Sequence, residues 1–168
     1  MHIRDAEIKR LEQYAKGLGI IVEYKPPYKY GPRASWNASP PTIILHTYSG
    51  TSKTQLILNF LHELGHHMDY VHNHNRKTVD KIDNAWTQEN NNEKLSKEDR
   101  LIIYNDEKSA ASYRKVIAHE LDLNVSQKKI DLDIDLDMFT YYTYYMKGNF
   151  PTRAETRAKA KELKNEKT

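Results

Sequence analysis

The sequence predicts an α+β fold in which a small sheet packs against two long helices. A β-rich run covers Thr42 to Tyr48, an apolar stripe recurs at helical spacing from Lys53 to Val71, and a second helical pattern covers Lys97 to Leu121. A chain of 168 residues is long enough for one domain with a modest core. We therefore expect a single domain over residues 1–150, with 151–168 as a charged C-terminal helix or tail of the same domain.

The first part of the chain alternates helical and extended patterns. Asp5 to Lys16 predicts an amphipathic helix that two glycines end, and Ile20 to Tyr24 follows as a short β-rich run. The proline-punctuated stretch before Thr42 predicts a loop that includes a short strand around Arg33 to Trp36. Ser and Thr residues after Tyr48 can cap the apolar helix that comes next.

The later part of the chain is more polar. The region from Asn73 to Arg100 predicts a long, partly mobile loop anchored by Trp86. Ser96 and Asp99 have the spacing of a capping box for the second long helix. The run "IDLDIDLD" alternates by twos and predicts a strand or extended edge with an acidic face, and the aromatic run after it is compatible with a helix. Pro151 begins the charged C-terminal helix.

The composition excludes several classes of protein. The chain has no cysteine, so disulfides and thiolate zinc sites are excluded. No apolar run approaches the length of a membrane helix, and the charged N-terminus lacks the apolar core of a signal peptide. We expect a cytoplasmic protein, or one of the host cytoplasm if the chain is phage-encoded. A net charge of +3 is too small to indicate nucleic acid by itself.

His62, Glu63 and His66 form an H-E-x-x-H motif inside the apolar helix. Residues four apart lie on one face of a helix, so His62 and His66 can direct nitrogens at one ion. Glu63 lies about 100° around the helix, where its carboxylate can reach a water on that ion. Unpaired imidazoles and carboxylates would be costly on such an apolar helix. The motif therefore predicts one zinc ion per chain, with Glu63 as the general base.

The segment "LNFLHELGHHMDY", Leu58 to Tyr70, resembles the active-site helix of small gluzincin-like zinc metallopeptidases of the ImmA/IrrE type, which include related phage-encoded domains. The resemblance implies a minimal zincin-like fold and a third ligand, a Glu that opens an E-x-x-A pattern on the second helix. The sequence "EKSA" beginning at Glu107 matches that pattern. The resemblance thus implies that His62, His66 and Glu107 bind zinc and that Glu63 is catalytic.

Two features depart from this resemblance. The polar segment between the two helices is long, and no helix-turn-helix extension is apparent. The repressor-cleaving role of some relatives is therefore not carried over to this chain.

Other residues compete for the third position. His72 follows His62 at the metzincin spacing, but that geometry requires the helix to turn at Asp69, where metzincins have glycine. If the helix continues, His72 points about 80° away from the ligand face. Glu120 and His119 lie near the end of the second helix, where a solvated role is expected. Asp69 is either a hydrogen-bond acceptor for a ligand imidazole or a solvated helix-end residue.

The remaining histidines and tyrosines are assigned less sharply. We expect His67 on the helix surface or in the substrate cleft, and His46 on the surface at the end of a strand. Tyr113 and the tyrosines between Tyr141 and Tyr145 are candidates for stabilising an oxyanion, but the sequence does not choose among them.

These observations favour zinc-dependent hydrolysis of peptide bonds in an intracellular protein substrate. One alternative is a catalytically inactive, zinc-binding interaction module. The other is a basic accessory protein associated with nucleic acid. Neither a membrane partner nor a particular oligomeric state is indicated.

Overall fold

The computed structural model describes residues 6–26, 33–47, 50–73, 76–91 and 93–166. This part of the chain has an α+β fold, which confirms the predicted class. Its elements follow in the order α1 (Ala6–Gly17), β1 (Ile21–Lys25), β2 (Ala34–Ala38), β3 (Pro41–His46), α2 (Lys53–Asn73), α3 (Arg76–Asn90), α4 (Lys97–Glu120), α5 (Gln127–Lys147) and α6 (Arg153–Glu166).

The sheet is small and mixed. Strand β3 lies in the centre, parallel to β1 and antiparallel to β2. Ile43 and Leu45 of β3 are fully buried in the main core, as expected for alternating residues on the covered face of a sheet. Trp36 of β2 pairs with Ile43, so the short strand predicted around this tryptophan is confirmed.

Helices α2 and α4 are the centre of the molecule. The apolar stripe of α2 is buried in the main core, and Phe60, Leu61 and Leu64 are completely inaccessible. Helix α4 begins as predicted, because Ser96 Oγ accepts a hydrogen bond of 3.0 Å from the backbone N–H of Asp99. These features confirm the two long helices predicted from the apolar pattern.

The two helices approach closely at Gly65. A Cβ atom at that position would lie 2.5 Å from the carbonyl oxygen of Ala110 on α4. Only a residue without a side chain fits here, and the small Ala110 and Ala111 on the facing helix are buried in the same contact region. This contact fixes the position of α4 residues one turn earlier, including Glu107.

The loop predicted between Asn73 and Arg100 is wrong, because most of it forms α3. Val79, Ile82 and Trp86 recur at helical spacing within the polar sequence, and these few apolar residues are enough to give the helix one partly buried face. Trp86 is an anchor as predicted, since it packs against a second buried cluster that includes Ala85. His74 lies outside the described residues.

The strand predicted for "IDLDIDLD" is also wrong, because this run is the first half of α5. An alternation by two contains a repeat of four, which is also a helical spacing. Ile130 and Ile134 lie against the main core, while Asp133 and Asp137 pair with the buried guanidinium of Arg114. The helix satisfies both sets of residues at once. The aromatic run that follows is helical, as the sequence allowed.

Helix α6 confirms the predicted charged C-terminal helix and packs on α5. Its start is capped reciprocally: Thr152 Oγ1 accepts from the N–H of Glu155 at 3.2 Å, and the Glu155 carboxylate accepts from the N–H of Thr152 at 2.7 Å. Each helix in the described part of the chain is too short or too polar to cross a membrane.

Replacement of Gly65 by alanine should destabilise the fold, although alanine favours helices over glycine by about 1 kcal/mol. The added methyl group would collide with the Ala110 carbonyl, and relief of such overpacking typically costs about 1–3 kcal/mol. Gly17→Ala is the matched control, because nothing lies within 4 Å of its would-be Cβ. Urea denaturation should show a loss of stability for the first variant only; equal stability of both variants would contradict the close contact.

Candidate metal centre

Three potential metal ligands from α2 and α4 meet at one point. The Nε2 atoms of His62 and His66 are 3.3 Å apart, as expected for histidines one turn apart on a helix. Glu107 of α4 faces both rings, with Oε2 at 3.6 Å from His62 Nε2 and Oε1 at 3.5 Å from His66 Nε2. With one ligand atom taken from each residue, all three atoms lie within 4.8 Å of one another. The residues predicted as ligands are therefore brought together.

The chemistry and spacing of these residues fit zinc. Tetrahedral zinc with ligand bonds of about 2.0–2.1 Å holds neighbouring ligand atoms about 3.3 Å apart. The separation of the two imidazole nitrogens, 3.3 Å, agrees with this value. Oε2 of Glu107 is buried and receives no hydrogen bond from the described residues. A buried carboxylate oxygen without a donor is costly, and a cation at this point would satisfy it.

Electrostatics also favour a cation between the three groups. Burial lowers the pKa of His66, but the surrounding carboxylates, Glu107 foremost and then Asp106 and Glu63, together raise it to about 10. Burial would raise the pKa of Glu107, but the two imidazoles more than offset this and hold it below its ordinary value. The buried carboxylate thus stays ionised and stabilises positive charge at this point, either a proton on an imidazole or a metal ion that displaces it.

Each candidate ligand imidazole has its own carboxylate on the far side of the ring. Asp137 of α5 lies 3.3 Å from His62 Nδ1, and Asp106 of α4 lies 3.7 Å from His66 Nδ1. Asp106 is itself held by a hydrogen bond of 3.2 Å from the indole N–H of Trp86. Carboxylates in these positions orient metal-binding imidazoles and fix the proton on Nδ1.

Arg114 is the buried cation behind the site. It is only 1% exposed, and its guanidinium donates to Asp137 at 2.5 Å and to Asp133 at 3.3 Å. The same guanidinium also contacts Nδ1 of His62. If His62 presents Nε2 to a metal, its Nδ1 proton is donated to Asp137, and the guanidinium, which can only donate, then bonds to Asp137 rather than to Nδ1 and keeps that carboxylate ionised.

Asp69 is not exposed to solvent, so its interpretation as a solvated helix-end residue is wrong. It is completely buried and accepts hydrogen bonds from Asn73, at 2.7 Å, and from Ser109 of α4. The bond from Ser109 joins α4 to α2 beside the site, whereas Asn73 lies on the same helix as Asp69. The carboxylate next to Nδ1 of His66 is that of Asp106.

The competing ligands lie outside the cluster. Helix α2 runs through Asp69 to Asn73 without the turn that a metzincin site requires, so His72 is exposed and stacks on Tyr113 at 6.0 Å between ring centroids. Glu120 is exposed and accepts a hydrogen bond of 3.3 Å from Tyr14. His119, beside it, is exposed as well.

Two further histidines are buried: His67, expected on the helix surface or in the substrate cleft, and His46, expected on the surface. His67 is 5% exposed and packs edge-on against Trp36, and its pKa is lowered by burial. His46 is 6% exposed, and its Nδ1 lies 2.9 Å from the carbonyl oxygen of Pro26. Both rings lie where the sheet meets neighbouring chain segments, which the sequence pattern could not show.

The three ligand candidates lie at one end of a cleft of about 850 Å³. The cleft is lined by the segment from Ala34 to Pro40, which comprises β2 and the turn after it, by one face of α3, and by residues of α2, α4 and α5. Glu63 also lines the cleft, and burial raises the pKa of its carboxyl group. A base with a raised pKa in a cleft beside a metal site is suited to proton transfer.

Tyr141 is the tyrosine that the sequence could not single out. It lines the cleft on α5, and burial, together with the charge of Glu107 and a hydrogen bond to it, raises its pKa well above the ordinary value. The hydroxyl group therefore keeps its proton and remains a hydrogen-bond donor. Tyr113 instead accepts a hydrogen bond from Asn73, at 2.9 Å, away from the cluster.

Comparison with known proteins adds no family to this picture. No protein-family model, curated protein or solved structure matches the chain. The candidate site is therefore defined by the geometry of His62, His66 and Glu107, and its function is inferred from that geometry.

Replacement of Glu107 by alanine should strongly weaken zinc binding, because it removes the one carboxylate that faces both imidazoles. His72→Ala and Glu120→Ala should leave the affinity nearly unchanged, since both residues are exposed outside the cluster. Competition with a chromogenic chelator measures all three variants. Loss of zinc in His72→Ala with retention in Glu107→Ala would show that the third ligand is misassigned.

Replacement of Asp137 by asparagine should lower zinc affinity by about 10- to 100-fold, because His62 loses the charged acceptor for its Nδ1 proton. Asp133→Asn is the matched control: Asp133 pairs with the same guanidinium at 3.3 Å, one helical turn from Asp137. Zinc titration of both variants should separate them. Equal affinities would mean that Asp137 only balances the charge of Arg114.

Proposed function

We propose that the protein is a zinc-dependent peptidase with a minimal zincin-like domain and one zinc ion per chain. The observation that carries the proposal is that His62, His66 and Glu107 meet beside Glu63 in one cleft. Buried general bases beside a site for a Lewis acid are typical of metal-assisted hydrolysis. The resemblance of the H-E-x-x-H segment to small gluzincin-like peptidases supports the same reaction.

The number of ligands favours catalysis over a structural role. Structural zinc sites are usually closed by four protein ligands, whereas catalytic sites use three and leave one position for water or substrate. Within the described residues, the candidate group has three members, and all three line the cleft. A substrate entering the cleft can therefore reach the site.

The roles of the surrounding residues follow from their positions. Zinc, when bound, supplies a Lewis acid that polarises a carbonyl group and lowers the pKa of a water molecule. Glu63 takes a proton from the attacking water as its oxygen bonds to the carbonyl carbon, and gives this proton to the amine nitrogen as the C–N bond breaks. Tyr141 lines the same cleft, and its hydroxyl, which keeps its proton, would turn from Glu107 to donate a hydrogen bond to the developing oxyanion.

The sheet edge favours a peptide as the substrate. Strand β2 lies at the edge of the described sheet, and its only partner there is β3. The residues of this strand line the cleft. An edge strand offers backbone N–H and C=O groups to which an extended peptide can add as a further strand. Bound in this way, the peptide would run past the candidate metal centre.

Replacement of Glu63 by glutamine should leave zinc binding intact and lower peptide hydrolysis by about 10²- to 10⁴-fold, the usual contribution of a general base. Glu120→Gln makes the same change at an exposed carboxylate and should have no effect. Zinc content and cleavage of casein and of a quenched-fluorescence peptide library measure the two properties. Equal cleavage by wild type and Glu63→Gln would overturn the assignment. Zinc binding without any cleavage by wild type would instead favour an interaction module.

A further inference from the structure

Helix α3 lines the cleft along one face. Its residues at the cleft are separated by three and one positions in turn, so they form one continuous helical face: Val79, Ile82, Asp83, Trp86, Thr87 and Asn90. This helix is the segment that the resemblance to small zinc peptidases leaves unexplained. Because α3 and β2 line the same cleft, α3 is placed to contact whatever the cleft binds.

The C-terminal half of α3 is firmly attached to the rest of the fold. Ala85 is 1% exposed in the second buried cluster, and the indole N–H of Trp86 donates to Asp106 at 3.2 Å. Glu89 accepts a hydrogen bond from the hydroxyl of Tyr144 on α5. These contacts hold the helix in place next to Asp106, which adjoins the candidate ligand Glu107 in sequence and supports His66.

The N-terminal half of α3 presents apolar side chains that the described residues cover only in part. Val79 and Ile82 are half-buried, and neither packs into the main core or into the second buried cluster. Both line the cleft, as do Tyr70 and Trp36 from α2 and β2. Apolar side chains that line a cleft usually contact the apolar groups of its ligand.

The charges in the cleft limit the chemistry of that ligand. No lysine or arginine is among the described residues that line the cleft, whereas Asp83 and Asp106 contribute carboxylates in addition to Glu63 and the candidate ligand Glu107. Acidic peptides and nucleic acid would meet negative charge on these walls. A basic peptide would be attracted by these carboxylates, and an uncharged peptide would not be repelled by them.

We propose that α3 is the specificity wall of the cleft, and that Val79 and Ile82 seat a large apolar side chain of an extended, non-acidic peptide. This inference rests on the proposed function in one respect: the bound peptide is a substrate only if the protein is a peptidase. The binding preference itself does not depend on catalysis. Burial of one large apolar side chain is sufficient for about a tenfold preference over a small polar one.

The test measures binding, so that it does not depend on catalysis. Zinc-loaded Glu63→Gln protein is titrated with three pools of fluorescein-labelled peptides that have the same length and the same number of lysines. The varied positions are Leu, Phe and Val in the apolar pool, Ser, Thr and Asn in the polar pool, and Asp and Glu in the acidic pool. Fluorescence anisotropy gives the affinities. The apolar pool should bind about tenfold more tightly than the polar pool, and the acidic pool should bind most weakly.

Variants of α3 then locate the preference. Ile82→Asp should abolish the preference for the apolar pool, whereas Asn84→Asp, which adds the same charge at an exposed position of the same helix, should retain it. Val79→Asn is the second variant if Ile82→Asp does not fold, and circular dichroism and zinc content verify the fold. Equal binding of the apolar and polar pools would overturn the inference. An undiminished preference in the folded Ile82→Asp or Val79→Asn variant would overturn it as well.

Failure of the proposed function has a different signature. If wild type cleaves peptides from all pools equally and binds them equally, the peptidase proposal stands and the specificity wall is wrong. If wild type cleaves nothing but the pools bind selectively, the wall stands and the protein is a peptide-binding module.

Discussion

The close contact between α2 and α4 is the constraint on which the rest of the site depends. At Gly65 the helices are so near that a Cβ atom would lie 2.5 Å from the Ala110 carbonyl oxygen. One turn before Ala110, Glu107 reaches both imidazoles of α2, and the distances of 3.5 and 3.6 Å follow from that approach. A larger residue at Gly65 would separate the helices and move the carboxylate away from its partners. Packing and site geometry are thus set by one contact.

A buried polar network surrounds this contact and has to be satisfied as a unit. Arg114 is 1% exposed, so its charge requires the carboxylates that α5 supplies. Asp137 serves the guanidinium and His62 together, and it thereby connects α5 to the candidate metal site. Glu107 Oε2 is the buried oxygen of this network without a donor among the described residues, and a cation would complete it. The geometry around the three candidate ligands is therefore held from three helices.

The sequence predicted the part of the site that helix geometry determines. His62 and His66 must share a face on any helix, and Glu107, which the family resemblance implied as the third ligand, lies beside them in the structure. Asp133 and Asp137 were missed for a physical reason: "IDLDIDLD" has a period of two that also contains a period of four. The helix is favoured because it brings Ile130 and Ile134 to the core and the two aspartates to the buried Arg114. Helix α3 was missed because its apolar residues are few and face a cleft rather than the core.

X-ray diffraction from crystals of the zinc-loaded protein, with anomalous data on both sides of the zinc absorption edge, tests the central claim most directly. The account predicts one anomalous peak per chain, between the Nε2 atoms of His62 and His66 and the carboxylate of Glu107, with bonds of about 2.0–2.2 Å. A peak coordinated by His72 or Glu120, or the absence of any zinc peak among these three residues, would contradict it.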